Sequence, residues 1–316
     1  MGFLMPNGDL FSQVMQEYKP DPNTLVKKRQ EILKELGNKL NAPVVAYIAN
    51  TMHPISAMMQ PDVDAVMDFV KVASRNSKKV YLILESSGGD GNVAEKLLHV
   101  FREVFTESFN VIVPNLAKSA ATMLSIGADK IIMGTSSELG PIDPQIEVIL
   151  PTGQPQYVPA KSITGTLTKI KEEIEKNEKL ATMYYPILQQ IRPETIKYCE
   201  DAIAFSTSFA KRWLKEGSMR GKSENDIEKT AKELTTGARF NMHGSVINHQ
   251  DAQAFLGLNV EFWDQTDERW QLLWDYYLRA RASFQMNPNA AKLFETTETS
   301  VTMNVQVIMQ GLQPVK

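Results

Sequence analysis

Between residues 43 and 133 short unbroken apolar runs alternate with longer stretches whose apolar residues recur every three or four positions. Four runs, Pro43–Ala49 (PVVAYIA), Val80–Leu84 (VYLIL), Asn110–Val113 (NVIV) and Lys130–Met133 (KIIM), are too short for helices and predict buried strands. Val63, Val66, Met67 and Val70 predict a helix over 61–74. Val93, Leu97, Val100, Phe101 and Val104 predict another from Asn92 to about Phe105. A third, rich in small residues, is expected from Ser119. Upstream, Leu25, Ile32, Leu33, Leu36 and Leu40 predict an amphipathic helix over 24–40. Apolar strands joined by helices imply an α/β fold: repeated βαβ units around a parallel sheet covered on both faces. Ligand sites in such sheets form beyond the carboxyl ends of the strands.

The rest of the pattern is less regular. A Pro/Gly-rich connection over 151–160 (PTGQPQYVPA) precedes a long charged helix running from 160 into the 180s, and a further helix is expected over 194–215. Residues 216–226 read as loop, and 251–258 (DAQAFLGL) as a short helix ended by Gly257. Trp270, Leu273, Trp274, Tyr277 and Leu278 predict a helix over 267–284 whose aromatic stripe serves packing. The Thr-rich tail has a strand signal in VTMNVQVIM (301–309). The expected organisation is a helical arm over 1–42, a main domain over 43–260, and a C-terminal helical appendage and tail over 261–316 suited to subunit contact.

Composition narrows the function classes. The 316 residues, 43% of them hydrophobic, suffice for a sizeable core without covalent staples. A net charge of −3 does not suit a phosphate-backbone binder, so no nucleic-acid partner is expected. The lone Cys199 can form no internal disulfide and reads as an inert thiol. With no secretory leader and no long apolar span, the expectation is a cytoplasmic protein without a transmembrane segment.

Candidate chemistry sits in two turns at strand ends. In ESSGGDGN (85–92), Gly88 and Gly89 lack Cβ atoms, so backbone N–H groups can approach a ligand closely. Neither the dinucleotide nor the P-loop pattern of glycines is present, and no cofactor or metal is expected. In LAKSAATMLS (116–125), Ser119 opens a helix. On its own it reads as an N-cap. Beside the glycine turn it reads as a nucleophile, with N–H groups of Gly88 or Gly89 and of Ala120 as an oxyanion hole. A base is then required. The histidines are His53, His99, His243 and His249, and none falls between Ser119 and His243, so no serine–histidine–aspartate pattern is evident. Lys161, at a helix start after the linker, is the candidate base. Asp143, in ELGPIDPQ, is the carboxylate expected nearest the site.

At these residues the chain resembles the serine dehydrogenase proteinase family, a branch of the Clp protease proteolytic subunit and signal peptide peptidase A superfamily, which shares the crotonase fold. The resemblance spans roughly 43–260 and rests on LILESSGGDGNVAEKL, NLAKSAATMLSIGADKIIMGTSSELGPIDPQI and HGSVINHQDAQAFLGLNV. It implies Ser119 as nucleophile and Gly88, Gly89 and Ala120 as the oxyanion segment. Where the Clp subunit has its histidine, this chain reads IDPQ, so Asp143 occupies that place. Archaeal membrane-associated relatives carry a lysine further downstream, a position Lys161 matches. The implied activity is a serine peptidase with a Ser119–Lys161 dyad, acting on peptides or proteins as a homo-oligomer. The sequence names no ATPase partner. Two other readings stay open: a crotonase-type acyl-CoA enzyme, and a non-catalytic assembly protein of the same fold.

Overall fold

The computed structural model describes residues 10–17, 22–149, 152–240 and 242–304. Helices α1 (Leu10–Glu17) and α2 (Pro22–Leu40) lead into strand β1 (Val44–Ala49). The alternating region follows as α3 (Pro61–Ala73), β2 (Lys79–Glu85), α4 (Gly91–Val104), β3 (Ser108–Val113), β4 (Leu116–Ala117), α5 (Ala120–Ile126) and β5 (Lys130–Met133). Next come β6 (Glu138–Leu139), the antiparallel pair β7 (Gln145–Ile149) and β8 (Pro155–Pro159), and helices α6 (Ala160–Lys176), α7 (Ala181–Leu188), α8 (Pro193–Glu216) and α9 (Glu224–Thr235). Strand β9 (Val260–Phe262), helix α10 (Glu268–Met286) and strands β10 (Ala290–Glu295) and β11 (Ser300–Asn304) are the last elements among the described residues.

The main sheet has seven strands in the order β11-β10-β1-β2-β3-β5-β9. Strands β1, β2, β3 and β5 run parallel, as the apolar runs imply; β9 adds to β5 in parallel, and β10 joins antiparallel to β1. Residue parity divides the core. Val45, Tyr47, Leu82, Leu84, Val111 and Ile131 pack against α3, α4 and α5. Val44, Ala46, Ile48, Ile83, Ile112 and Ile132 meet Ile32, Leu33 and Leu36 of α2 and Trp270, Leu273 and Tyr276 of α10. The aromatic stripe therefore serves packing: Trp270 and Tyr277 are buried. At about 25 cal/mol per Å² of apolar surface, each such ring is worth a few kcal/mol.

Several expected boundaries shift. The charged helix ends at Lys176, and the Asn177 side chain then caps a short 3₁₀ turn over Glu178–Leu180 by accepting from the Lys179 N–H. The loop over 216–226 yields to α9 at Glu224, whose N-cap Ser223 accepts from the Asp226 N–H. Part of the 151–160 connection pairs as β8. Residues 251–258 form only a wide π-type turn over Asp251–Phe255, closed by Gly257 at φ 71°. Strands β9 and β10 were not expected. In the tail, β11 overlaps the expected strand at 301–304, and 305–309 lie outside the described residues.

Candidate active site

Both turns of interest leave carboxyl ends of adjacent parallel strands, β2 and β3, and they are stitched together. The Ser86 N–H donates to the Leu116 carbonyl (3.1 Å), and the Lys118 N–H returns a bond to the Ser86 carbonyl (2.9 Å). A side chain on Gly88 would not fit: its Cβ would lie 2.6 Å from Ser119 Cβ and 3.2 Å from Ala120 N. Gly88 also holds φ 107°, a region that favours glycine. Gly89 is braced from the other side, where a Cβ would meet the Met58 carbonyl at 2.3 Å. The N–H groups of Met58 and Asp90 bond the carbonyls of Gly88 (2.8 Å) and Met58 (3.0 Å), respectively.

Ser119 stands between β4 and α5 at φ 50°, ψ −117°. A non-glycine residue rarely takes this conformation, which costs on the order of 1–3 kcal/mol and persists only where the surroundings enforce it. Its side chain makes no capping hydrogen bond. The N-cap interpretation therefore does not hold: a capping serine has extended backbone and lends its oxygen to the first turn. Thr122, buried in α5, instead donates its hydroxyl to the Ala117 carbonyl (2.6 Å) and accepts from the Gly140 N–H (3.1 Å), tying β6 to the elbow.

The two glycines differ in what they can offer. The Gly88 N–H is taken by Ser86 Oγ (3.1 Å). No protein acceptor is seen for the N–H groups of Gly89 or Ala120 among the described residues.

The strands after the elbow bring in the remaining candidates. Parallel pairing of β4 with β6 sets Ala117 beside Leu139. The buried Asp143 follows four residues on; its carboxylate accepts from Gln145 Nε2 (3.0 Å) and from His243 Nδ1 (2.9 Å). His243 retains 35% side-chain exposure, so its other ring nitrogen has room for a second partner. Its loop is held beside the elbow, because Ile247 bridges Leu139 and Lys118 Nζ donates to the Ser245 carbonyl (3.0 Å). Lys118 is fully committed: it also donates to the Leu139 carbonyl and pairs with Glu138. The Ala160 N–H bonds the Pro144 carbonyl (2.9 Å), docking the start of α6 next to Asp143. One residue later, Lys161 buries its Nζ with no hydrogen-bond partner. No hydrogen bond joins Ser119 Oγ to Lys161 or to His243 among the described residues.

The Asp143–His243 contact escaped sequence reasoning, because it spans 100 positions. A signal was present: His243 opens the HGSVINHQ anchor. Of the other histidines, His99 packs edge-on to Trp213 and His249 stacks on Phe262. Cys199 is buried, and burial pushes its thiol pKa up, away from reactivity.

Ser119 is thus a strained, uncapped serine on a strand-to-helix turn of a parallel α/β sheet, with unclaimed backbone donors beside it. The chain belongs to the ClpP-like SDH-type serine proteinases, whose family pattern it matches over residues 10–292. It is 32% identical over 126 residues to one uncharacterized protein of Methanocaldococcus jannaschii, covering 37% of this chain and 43% of that one. A second uncharacterized protein of the same organism is 23% identical over 202 residues, covering 61% of each. The chain thus spans about half the length of these curated relatives. Among solved structures it is similar to an alanine mutant of the membrane-bound stomatin-specific protease 1510-N, with a TM-score of 0.41, 13% identity, and coverage of 69% of this chain and 79% of that one. In this chain, no helix among the described residues is long and apolar enough to cross a membrane.

Proposed function

We propose that this protein is a serine endopeptidase whose nucleophile is Ser119. The observation that carries the reading is the conformation of Ser119: strain is held at a residue whose hydroxyl makes no capping hydrogen bond. In the reaction, Ser119 Oγ bonds to the scissile carbonyl carbon while its proton passes to the unprotonated Lys161 amine. The N–H groups of Gly89 and Ala120 hold the oxyanion, and Gly88 serves the turn. Lys161 then returns the proton to the leaving amine as the C–N bond breaks. Water attacks the acyl-enzyme, its proton moves through the same base, and Ser119 is restored. A buried amine without a partner is suited to this cycle, because nothing else competes for its lone pair. Each oxyanion donor contributes about 3 kcal/mol to the transition state in such sites. A peptide or protein substrate, a homo-oligomeric assembly and a cytoplasmic setting belong to the same proposal.

A second reading of the base rests on one contact. Asp143 orients His243 through Nδ1, as the carboxylate does in a serine–histidine–aspartate triad. The test compares fluorophosphonate labelling of Ser119 in Lys161→Ala and His243→Ala. Loss in the first alone supports the dyad; loss in the second alone transfers the base to His243. Labelling in neither variant nor in the parent protein would remove the peptidase reading.

A further inference from the structure

Glu85 is the last residue of β2, three positions before Gly88, and only 2% of it is exposed. Its side chain leaves the sheet on the α10 side. Oε1 accepts the Asn115 Nδ2–H (3.0 Å) and the Tyr277 hydroxyl (2.9 Å), while Oε2 is buried with no partner. Arg281, one turn along α10, donates in turn to the Tyr277 oxygen (3.4 Å). Asn115 lies four residues before Ser119, and its carbonyl accepts the Glu138 N–H (2.7 Å), which aligns β6 on the way to Asp143. One carboxyl thus joins the strand that delivers Gly88 and Gly89, the segment that delivers Ser119, and α10.

We propose that Glu85 is a positioning residue for the Ser119 site: its ionised carboxylate locks Asn115 and Tyr277 and so fixes the two turns against each other, and protonation slackens the lock. This rests on the assignment of Ser119 as nucleophile. Hydrogen bonds to an ionised acceptor are roughly twice as strong as neutral ones, so the lock is tightest in the charged state. The charge is poised to change. Burial raises the Glu85 carboxyl to about 7, against the opposing pull of Asn115, Tyr277 and Arg281, the groups that face it from the β3–β4 connection and from α10. Burial and the Glu85 charge also raise the Tyr277 pKa, so its hydroxyl keeps the proton it donates.

The test follows the second-order rate of fluorophosphonate acylation of Ser119 from pH 5.5 to 9 in the wild type and in Glu85→Gln. Glutamine keeps the acceptor oxygen and the shape but cannot ionise. The ratio of wild-type to variant rates is expected near one at the acid end, rising through pH 7 to about tenfold. Titration of the catalytic base is common to both proteins and cancels in the ratio. In parallel, the Asn115 side-chain amide signal in NMR is expected to titrate near pH 7 in the wild type and not in the variant. A rate ratio that does not change with pH would reduce Glu85 to a structural residue and overturn the proposal, as would an Asn115 signal that is flat in the wild type. Absence of labelling in both proteins would instead overturn the nucleophile assignment, and with it the catalytic half of this one.

Discussion

Buried charge is treated in opposite ways at the two ends of the β1–β2 layer. On the β10 side the buried ions among the described residues are paired. Lys292 Nζ reaches both oxygens of Asp62 (2.7 and 2.9 Å), and Tyr47 and the Met59 N–H complete that carboxylate's bonds. Arg29 grips Glu295 through Nε and Nη2 (2.8 and 2.9 Å), with Tyr276 donating to the same carboxylate. On the side of the two turns, polar groups are buried but left incomplete: Lys161 Nζ and Glu85 Oε2 have no partner, and the Ser119 backbone is strained. Satisfied networks fix one structure. Unsatisfied buried groups cost stability. The regions are coupled, since Asp62 anchors the Met58–Met59 segment that braces Gly89.

Removing one partner from the satisfied side should be the most costly change. Lys292→Ala leaves Asp62 buried and unpaired, with an expected loss of about 3–5 kcal/mol in denaturant unfolding. A loss below ~1 kcal/mol would erase the contrast between the regions. Lys161→Ala should behave in the opposite sense: acylation of Ser119 falls about 10³-fold while unfolding free energy holds or rises, because an unpartnered amine leaves the interior. A large stability loss with unchanged acylation would reclassify Lys161 as structural.

Glu85→Gln sharpens the comparison through pH. The folded-state carboxyl sits near 7, above its ordinary value of 4.5, so the folded chain holds this proton more tightly than the unfolded chain. Stability from this group is therefore present at low pH and lost as pH rises through 7. The variant should match the wild type near pH 4.5 and exceed it by up to about 3 kcal/mol at pH 8. Equal stability at pH 8 would mean that Glu85 is solvated after all. The smallest effect is expected at the elbow itself. Ser119→Gly relieves the φ 50° strain and should stabilise the protein by about 1–2 kcal/mol while abolishing labelling. Destabilisation would indicate that the hydroxyl carries a structural bond.

The same contrast explains what was legible in the sequence. Strands β1, β2, β3 and β5 and helices α2 to α4 announce themselves because both faces of the strands, and one face of each helix, are apolar. Strand β10 (AAKLFE) does not, because its Lys292 and Glu295 look like surface residues until Asp62 and Arg29 are placed opposite them. In α9, Ile227, Ala231 and Leu234 form a narrow buried stripe within a charged sequence. The glycine turn and Ser119 were visible as motifs. The diversion of the Gly88 N–H to Ser86 is a local contact, but hydroxyl geometry within a turn leaves no mark in the residue pattern. The meeting of Asp143 with His243 depends on packing of residues distant in sequence, which no local pattern records.

The most direct measurement is mass-spectrometric mapping of the residue labelled by a fluorophosphonate in the intact protein at pH 8, with Ser119→Ala as control. Modification of Ser119 alone, absent from the control, is the expected result. Modification of another serine, or none in a folded protein that still cleaves peptides, would contradict the assignment of Ser119 as the nucleophile.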